Sequence, residues 1–174
     1  MAMIGQADTV AAVRIDPSDS ILVEQAPATL PAVPTRAQIE ALEGHMRREA
    51  QIDIPTRHYF AHGIYAREIT IPAGVLLTGK VHRTEHLNIL SAGEITVWTE
   101  DGMKRLRAPA TIVSRPGTKR VGYAHTECVW TTIHGTHERD LDRLEAELIE
   151  APAIAAPDAL AALAAPTDTA GGEA

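Results

Sequence analysis

Apolar and polar residues alternate in short runs between Arg57 and His134, and turn residues separate these runs. Alternation with a period of two is typical of strands that bury one face against a core. The pattern predicts eight strands, which are Gly63–Ile71, Leu76–Val81, His86–Leu90, Ile95–Glu100, Met103–Leu106, Thr111–Ser114, Arg120–Ala124 and Cys128–His134.

The turn residues agree with this interpretation. Glycine allows a positive φ angle and proline fixes a negative one, so both residues favour tight connections. An Asp-Gly pair between two alternating runs is a strong hairpin signal, and Asp101-Gly102 provides one. Similar signals occur at Pro72-Ala73-Gly74, Ala92-Gly93 and Pro116-Gly117. The sequence therefore predicts an all-β fold, a small antiparallel double-sheet jelly roll.

Helical spacing occurs on both sides of the predicted strands. Before them, Thr35 and Gln38 match a capping box, which predicts a short amphipathic helix from about Arg36 to Ala50. After them, helical spacing returns from Glu138 to Glu150. The apolar face of this second helix would consist of Leu141, Leu144 and Leu148.

The two ends of the chain lack such periodicity. Residues 1–34 carry four prolines and are predicted to form an extended arm. Residues 151–174 contain 11 alanines and three prolines, too few large apolar residues to form a core, and are predicted to form a mobile tail. One domain is therefore expected at 35–150, between an arm at 1–34 and a tail at 151–174.

Composition narrows the class of protein. The single cysteine, Cys128, excludes an internal disulfide and indicates a protein folded in a reducing compartment. The net charge of −7 argues against a nucleic-acid partner. The first residues lack the features of a signal peptide, and no apolar window is long enough to cross a membrane. We therefore expect neither secretion by a signal peptide nor a membrane partner.

Two stretches resemble a known family. The string IPAGVLLTGKVHRTEHLNILSAGEITVWTEDG, which begins at Ile71, is similar to the first conserved motif of the cupin superfamily. The later string RPGTKRVGYAHTECVWTTIH occupies the place of the second motif. With the helices IEALEGHMRREA and LDRLEAELIE on either side, the chain resembles small cupin-like proteins carried on tailed-phage genomes. The resemblance implies a cupin barrel with one short helix before it and one after it.

The resemblance also implies a candidate site. Metal-binding cupins take two histidines and a carboxylate from the first motif and one histidine from the second. In this chain Lys80 stands at the first histidine, His82 at the second, His86 at the carboxylate and Arg120 near the histidine of the second motif. Two basic residues in one cavity would repel a cation. These four residues are therefore predicted to bind an anionic ligand.

A metal is the alternative occupant of this site. His82 and His86 would be its ligands, with help from Glu85, His125 or His134. A third interpretation makes the stretch from His82 to His86 a polar strand–turn–strand, and His134 a hydrogen-bonded barrel residue. No catalytic residue is assigned. The preferred prediction is that the protein has no cofactor, and the alternative is a divalent transition metal.

Three functions follow from these alternatives. The preferred one is a non-enzymatic, dimeric structural or assembly component of a bacteriophage particle, such as a fibre, linker or decoration unit. Its location would be the virion, and otherwise the host cytoplasm. The others are a small-molecule binding protein for an anionic ligand and a metal-dependent cupin enzyme.

The expected partners are a second copy of the chain and other phage structural proteins. The copy would pack on exposed apolar residues such as Leu87, Ile89, Tyr65 and Trp98. The phage proteins would contact the terminal arms.

Overall fold

The computed structural model describes residues 9–15 and 33–151. The described residues form ten strands and two helices. The strands are β1 (Thr9–Arg14), β2 (Thr56–Ala61), β3 (Ile64–Ile71), β4 (Val75–Gly79), β5 (His86–Ala92), β6 (Glu94–Thr99), β7 (Gly102–Arg107), β8 (Ala110–Ser114), β9 (Val121–Ala124) and β10 (Cys128–Gly135). The helices are α1 (Arg36–Met46) and α2 (Leu141–Leu148). Neither helix is long and apolar enough to span a bilayer.

The strands form two five-stranded sheets. The first sheet has the order β1-β4-β9-β6-β7 and the second has the order β2-β3-β10-β5-β8, with all pairs antiparallel. The strands from β3 to β10 alternate between the sheets except at β6 and β7, which form a hairpin within the first sheet, and this is the order of a jelly roll. This arrangement confirms the predicted all-β fold and its eight strands. The two strands β1 and β2 extend the sheets at one edge each.

The pattern did not predict these two edge strands. β1 lies inside the predicted N-terminal arm, yet it pairs with β4 from Thr9 to Arg14. β2 pairs with β3 across the turn at Gly63. The rest of the predicted arm and the tail after Ala151 lie outside the described residues.

Helix α1 covers the outer face of the first sheet. It begins at the predicted capping box of Thr35 and Gln38 but ends at Met46, four residues before the predicted end. Ile39 and Met46 pack against Trp98, which is buried. The expectation that Trp98 is exposed is therefore wrong, because this face of the sheet already has a helix on it.

Helix α2 packs on the second sheet. It starts after the N-cap residue Asp140, and its buried Leu144 and Leu148 contact Tyr65. Tyr65 is buried by these contacts, so the expectation that it is exposed is also wrong.

The predicted turns contain glycines with positive φ angles, at Gly74, Gly93, Gly102 and Gly117. Gly93 is also constrained by a close approach of the chain. A β-carbon at this position would lie 2.1 Å from the Glu127 carbonyl oxygen and 2.7 Å from the Cys128 sulfur. Only glycine fits the connection between β5 and β6 without displacing the start of β10.

Candidate metal and ligand site

The inner face of the second sheet changes from polar to apolar along the strands. Strand pairing arranges its inward side chains in three successive layers. The first contains the pairs Tyr65–His134 and His86–Ser114, the second contains Arg67, Thr132, Asn88 and Ile112, and the third contains Ile69, Trp130, Leu90 and Ala110. One end of the barrel interior therefore carries imidazole and guanidinium groups, and the other end is apolar.

A cavity of about 60 Å³ lies between the two sheets at this transition. Its apolar wall consists of Ile69, Ile71, Leu77, Ile95, Val97 and Trp130. Its polar wall consists of Arg67, Lys80, His82, His86, Thr118, Arg120 and Thr132. The four residues predicted as a ligand site, Lys80, His82, His86 and Arg120, thus line one cavity. Whether they bind a ligand stays a prediction.

Three histidines meet at the polar end of this cavity. The ring centroids of His82 and His86 are 4.3 Å apart, and each lies 4.8 Å from the ring of His134. One nitrogen atom from each ring lies within 4.8 Å of the others. The three rings come from different places in the chain, because His86 begins β5, His134 lies near the end of β10, and His82 lies in the loop after β4.

Hydrogen bonds orient two of these rings. The Nδ1 atom of His86 lies 2.9 Å from the carbonyl oxygen of Thr84. A carbonyl oxygen only accepts, so Nδ1 carries the proton and Nε2 of the neutral ring keeps its lone pair. The hydroxyl of Thr84 lies 3.4 Å from Nδ1 of His134. Thr84 therefore holds both imidazoles from one loop.

Two buried nitrogen atoms of the cluster have no hydrogen-bond partner. They are Nδ1 of His82 and Nε2 of His86. A buried polar atom without a partner costs free energy, so native proteins rarely leave one without a bound water, ion or ligand. These two atoms point to a group that completes the site.

The histidines are neutral at physiological pH. Burial lowers the pKa of His82 to about 2, with further contributions from His86 and Arg67. Burial also lowers the pKa of His134, to about 4, and that of His86. Neutral imidazole is the form that binds a transition metal, because its lone pair is free. The site therefore presents three imidazoles in the form that a metal could bind without loss of a proton.

The loop that carries His82 is fixed from both sides. The backbone N–H of Gly117 donates to the carbonyl oxygen of His82 over 2.9 Å. The N–H of Arg83 donates to the carbonyl oxygen of Leu148 over 2.8 Å, and His82 forms a β-bridge with Ile149. The end of α2 thereby positions a residue of the site.

Two guanidinium groups face the same cavity. Burial lowers the pKa of Arg67 and that of Arg120 to about 10, so both remain cationic near neutral pH. No described residue that lines the cavity has a carboxylate. The third cation, Lys80, lies 2.5 Å from the exposed carboxylate of Glu145, so its charge is neutralised from outside.

A network of buried hydrogen bonds stabilises the cavity wall next to the guanidinium groups of Arg67 and Arg120. Asn88 accepts hydrogen bonds from the Trp130 indole, over 3.0 Å, and from the Thr132 hydroxyl, over 2.9 Å. It donates to the Ser114 hydroxyl over 2.8 Å, and Arg120 donates to the same hydroxyl. The network joins β5, β8 and β10 and fixes the position of Arg120.

Of the three additional metal ligands suggested by the sequence, His134 belongs to the cluster, and Glu85 and His125 do not. His134 lies next to His82 and His86 and completes the cluster, so it is more than a hydrogen-bonded residue of the barrel. Glu85 is exposed, and His125 is hydrogen-bonded to Thr96 over 2.7 Å.

Arg67 did not figure in the sequence prediction at all. The alternation in β3, where Tyr65, Arg67, Ile69 and Ile71 share one face, is the signal that could have identified it. The same alternation in β10 places His134 on one face with Trp130 and Thr132.

The chain is similar to several solved structures at TM-scores below 0.5. No protein-family model matches the chain, and no curated protein matches it either. A cupin-like protein from Thermotoga maritima has a TM-score of 0.42 and 12% identity, over 49% of this chain and 69% of that chain. An RmlC-like cupin from Shewanella frigidimarina has a TM-score of 0.43 and 18% identity, over 51% of this chain and 80% of that chain.

A third similar structure is an acetylacetone dioxygenase from Acinetobacter johnsonii, with a TM-score of 0.40 and 15% identity over 48% of this chain and 60% of that chain. At these values the strand order of the barrel, rather than any single likeness, defines the fold. That order is the order of a jelly roll.

Proposed function

We propose that this protein is a metal-dependent cupin that holds a divalent first-row transition metal through His82, His86 and His134. The observation that carries the proposal is the convergence of three neutral imidazoles, two of which have a buried nitrogen without a hydrogen-bond partner. Three histidines with open positions are a ligand set of catalytic metal sites, and imidazole suits zinc, copper, iron and nickel.

The orientation of the histidine rings fits such a metal, whereas Arg67 and Arg120 in the same cavity oppose it by charge repulsion. The three candidate ligand nitrogens lie within 4.8 Å of one another, so a metal held by all three would require the rings to move closer together. The bond from His86 to Thr84 fixes the tautomer that presents Nε2 to the ion. A metal held by His82, His86 and His134 would keep open positions, where it would supply Lewis-acid polarisation of a small molecule. The cavity supplies the space for that molecule.

Metal content tests this proposal. After loading with zinc and removal of the excess, mass spectrometry should find one zinc per chain in the wild type and none in His86→Ala or His134→Ala. His125→Ala is the matched control and should keep its zinc, because His125 lies outside the cluster. Free zinc at about 100 times its dissociation constant should stabilise the wild type by about 2.7 kcal/mol, or about 5–10 °C in Tm.

A different result would contradict the metal site. The metal site would be contradicted if the wild type bound no metal and its Tm were the same with and without chelator. If the histidine variants then also lost about 1–3 kcal/mol of stability, the cluster would be an ordering network inside the barrel. The phage-assembly role has no support from the described residues, and most of the two arms on which it depends lies outside them. It stays a prediction from the sequence.

We also propose that the chain forms a homodimer through the outer face of the second sheet. Strand pairing places Val113, Leu87, Ile133, Ala66 and Tyr59 in one row across all five strands. Val113 is 62% exposed and Leu87 is 42% exposed. The row has no charged member, and the next row begins with Arg57 and Glu68, which are already ion-paired. A twofold axis would therefore bring apolar rows together without opposing like charges.

Sedimentation velocity at micromolar concentration tests the dimer. The wild type should sediment as a dimer, and Leu87→Glu and Val113→Glu should sediment as monomers, because each places a charge in the apolar row. Met103→Glu is the control, since Met103 is 53% exposed but lies on β7 of the other sheet. A wild type that is monomeric throughout, or a row variant that stays dimeric, would refute this interface.

A further inference from the structure

The described residues that line the cavity include basic side chains and no acidic one. Arg67 and Arg120 face it, and none of the described residues that line it has a carboxylate. Among the described residues, Glu145 acts on Arg67 and Glu100 acts on Arg120, and both of these carboxylates are exposed. A divalent ion at the histidines would add to this positive charge. The charge inside the barrel therefore favours an anion.

Arg120 is held in place and still has a donor to offer. Its Nη2 atom donates to the Ser114 hydroxyl, and its guanidinium lies 5.5 Å from the centre of the Trp130 ring. Its Nε atom is buried and has no hydrogen-bond partner. A guanidinium that is anchored at one nitrogen and unpartnered at another is preorganised to bind a planar carboxylate.

The size and wall of the cavity limit what the anion can be. A volume of about 60 Å³ has room for about four to six water-sized groups. Beyond the arginines the wall becomes apolar, with Ile69, Trp130 and Ile71 on the second sheet and Leu77 and Val97 on the first. Such a space suits one charged group joined to a short hydrocarbon chain better than a highly charged phosphate ester.

We propose that the small molecule bound at this site is a short-chain monocarboxylate, with its carboxylate between Arg120 and the histidine cluster and its aliphatic chain against Ile69 and Trp130. This inference rests on the proposed metal function and names its substrate class. Arg67 contributes its charge from the neighbouring layer of the sheet. A neutral molecule of the same shape would leave the Nε atom of Arg120 without an anion and lose the charge-assisted hydrogen bond.

Butyrate and its uncharged analogue butyramide provide the test, with the full chain loaded with cobalt. The visible absorption of cobalt reports the entry of a ligand. We expect butyrate to shift the spectrum and to bind at least about tenfold more tightly than butyramide. Arg120→Met should weaken butyrate by about tenfold or more and leave the cobalt content and butyramide binding unchanged. Arg115→Met, at an exposed arginine five residues earlier, is the matched control and should behave as the wild type.

Arg120→Lys covers the case in which Arg120→Met does not fold. It keeps the charge but loses the planar donor. It should therefore bind butyrate more weakly than the wild type does, but more tightly than the wild type binds butyramide. Cobalt-loaded wild type that binds butyrate and butyramide equally, or an Arg120 variant that binds butyrate as the wild type does, would overturn the inference and leave the metal site standing.

Metal-free protein separates the two proposals. Butyrate should raise the Tm of the metal-free wild type and butyramide should not, because the arginines are present without the metal. If the protein binds no cobalt but this difference is found, the metal function fails and the carboxylate site stands. If neither molecule changes the Tm of the metal-free protein and neither changes the cobalt spectrum, the inference is wrong.

Discussion

Lys119→Met is expected to destabilise the protein by about 3–5 kcal/mol, which is a large part of the stability of an ordinary domain. The side chains of Lys119 and Glu43 are only 5% and 10% exposed, and their charged groups are in direct contact. Lys119 also donates to the carbonyl oxygen of Gly79 over 3.0 Å. Removing the cation leaves the carboxylate of Glu43 buried, with the half-exposed Arg47 as its remaining ion-pair partner.

This pair connects α1 to the barrel. Glu43 lies on the buried side of the helix, and Lys119 lies in the loop that leads into β9 and Arg120. Urea unfolding measures the effect, with Arg115→Met as the control, since the ion pair of Arg115 with Asp101 is exposed and should change stability by less than about 0.5 kcal/mol. The double variant Glu43→Met, Lys119→Met should regain most of the loss, because no buried charge is left alone. If Lys119→Met lowered the free energy of unfolding no more than Arg115→Met does, the buried ion pair would not have the effect expected of it.

Asn88→Ala is expected to cost about 3 kcal/mol or more. Asn88 is 1% exposed, and its amide oxygen accepts from both Trp130 and Thr132. Truncation leaves two buried donors without an acceptor, at about 1–3 kcal/mol each, and opens a cavity in the wall of the barrel. The same change removes the donor that helps to orient Ser114.

Urea unfolding and ligand binding together measure this second effect. Ser91→Ala is the control on the same strand, because Ser91 is exposed and makes only one long hydrogen bond, of 3.4 Å to Val129. It should change stability by less than about 0.5 kcal/mol. Butyrate binding by folded Asn88→Ala should be weaker than by the wild type, because Arg120 loses its fixed support. A loss of stability below about 1 kcal/mol would show that water or repacking replaces the amide.

The local pattern of the sequence determined the class of fold. Period-two alternation and the turns at Gly74, Gly93, Gly102 and Gly117 predicted eight strands, and the structure has all of them in jelly-roll order. The capping box at Thr35 predicted the start of α1. These features depend on neighbouring residues, so a single sequence shows them directly.

The tertiary structure decided which residues meet. His134 follows His86 by nearly fifty residues, and only the pairing of β5 with β10 brings their rings to 4.8 Å. Arg67 comes to the same cavity from β3, which pairs with the opposite edge of β10.

Burial shows the same division between local pattern and tertiary contact. Trp98 and Tyr65 were both expected to be exposed, yet Trp98 packs against α1, and Tyr65 lies on the buried face of β3 and contacts α2. Alternation tells which residues share a face of a strand. What covers that face, and which side chains from distant strands converge there, depends on contacts far apart in the chain.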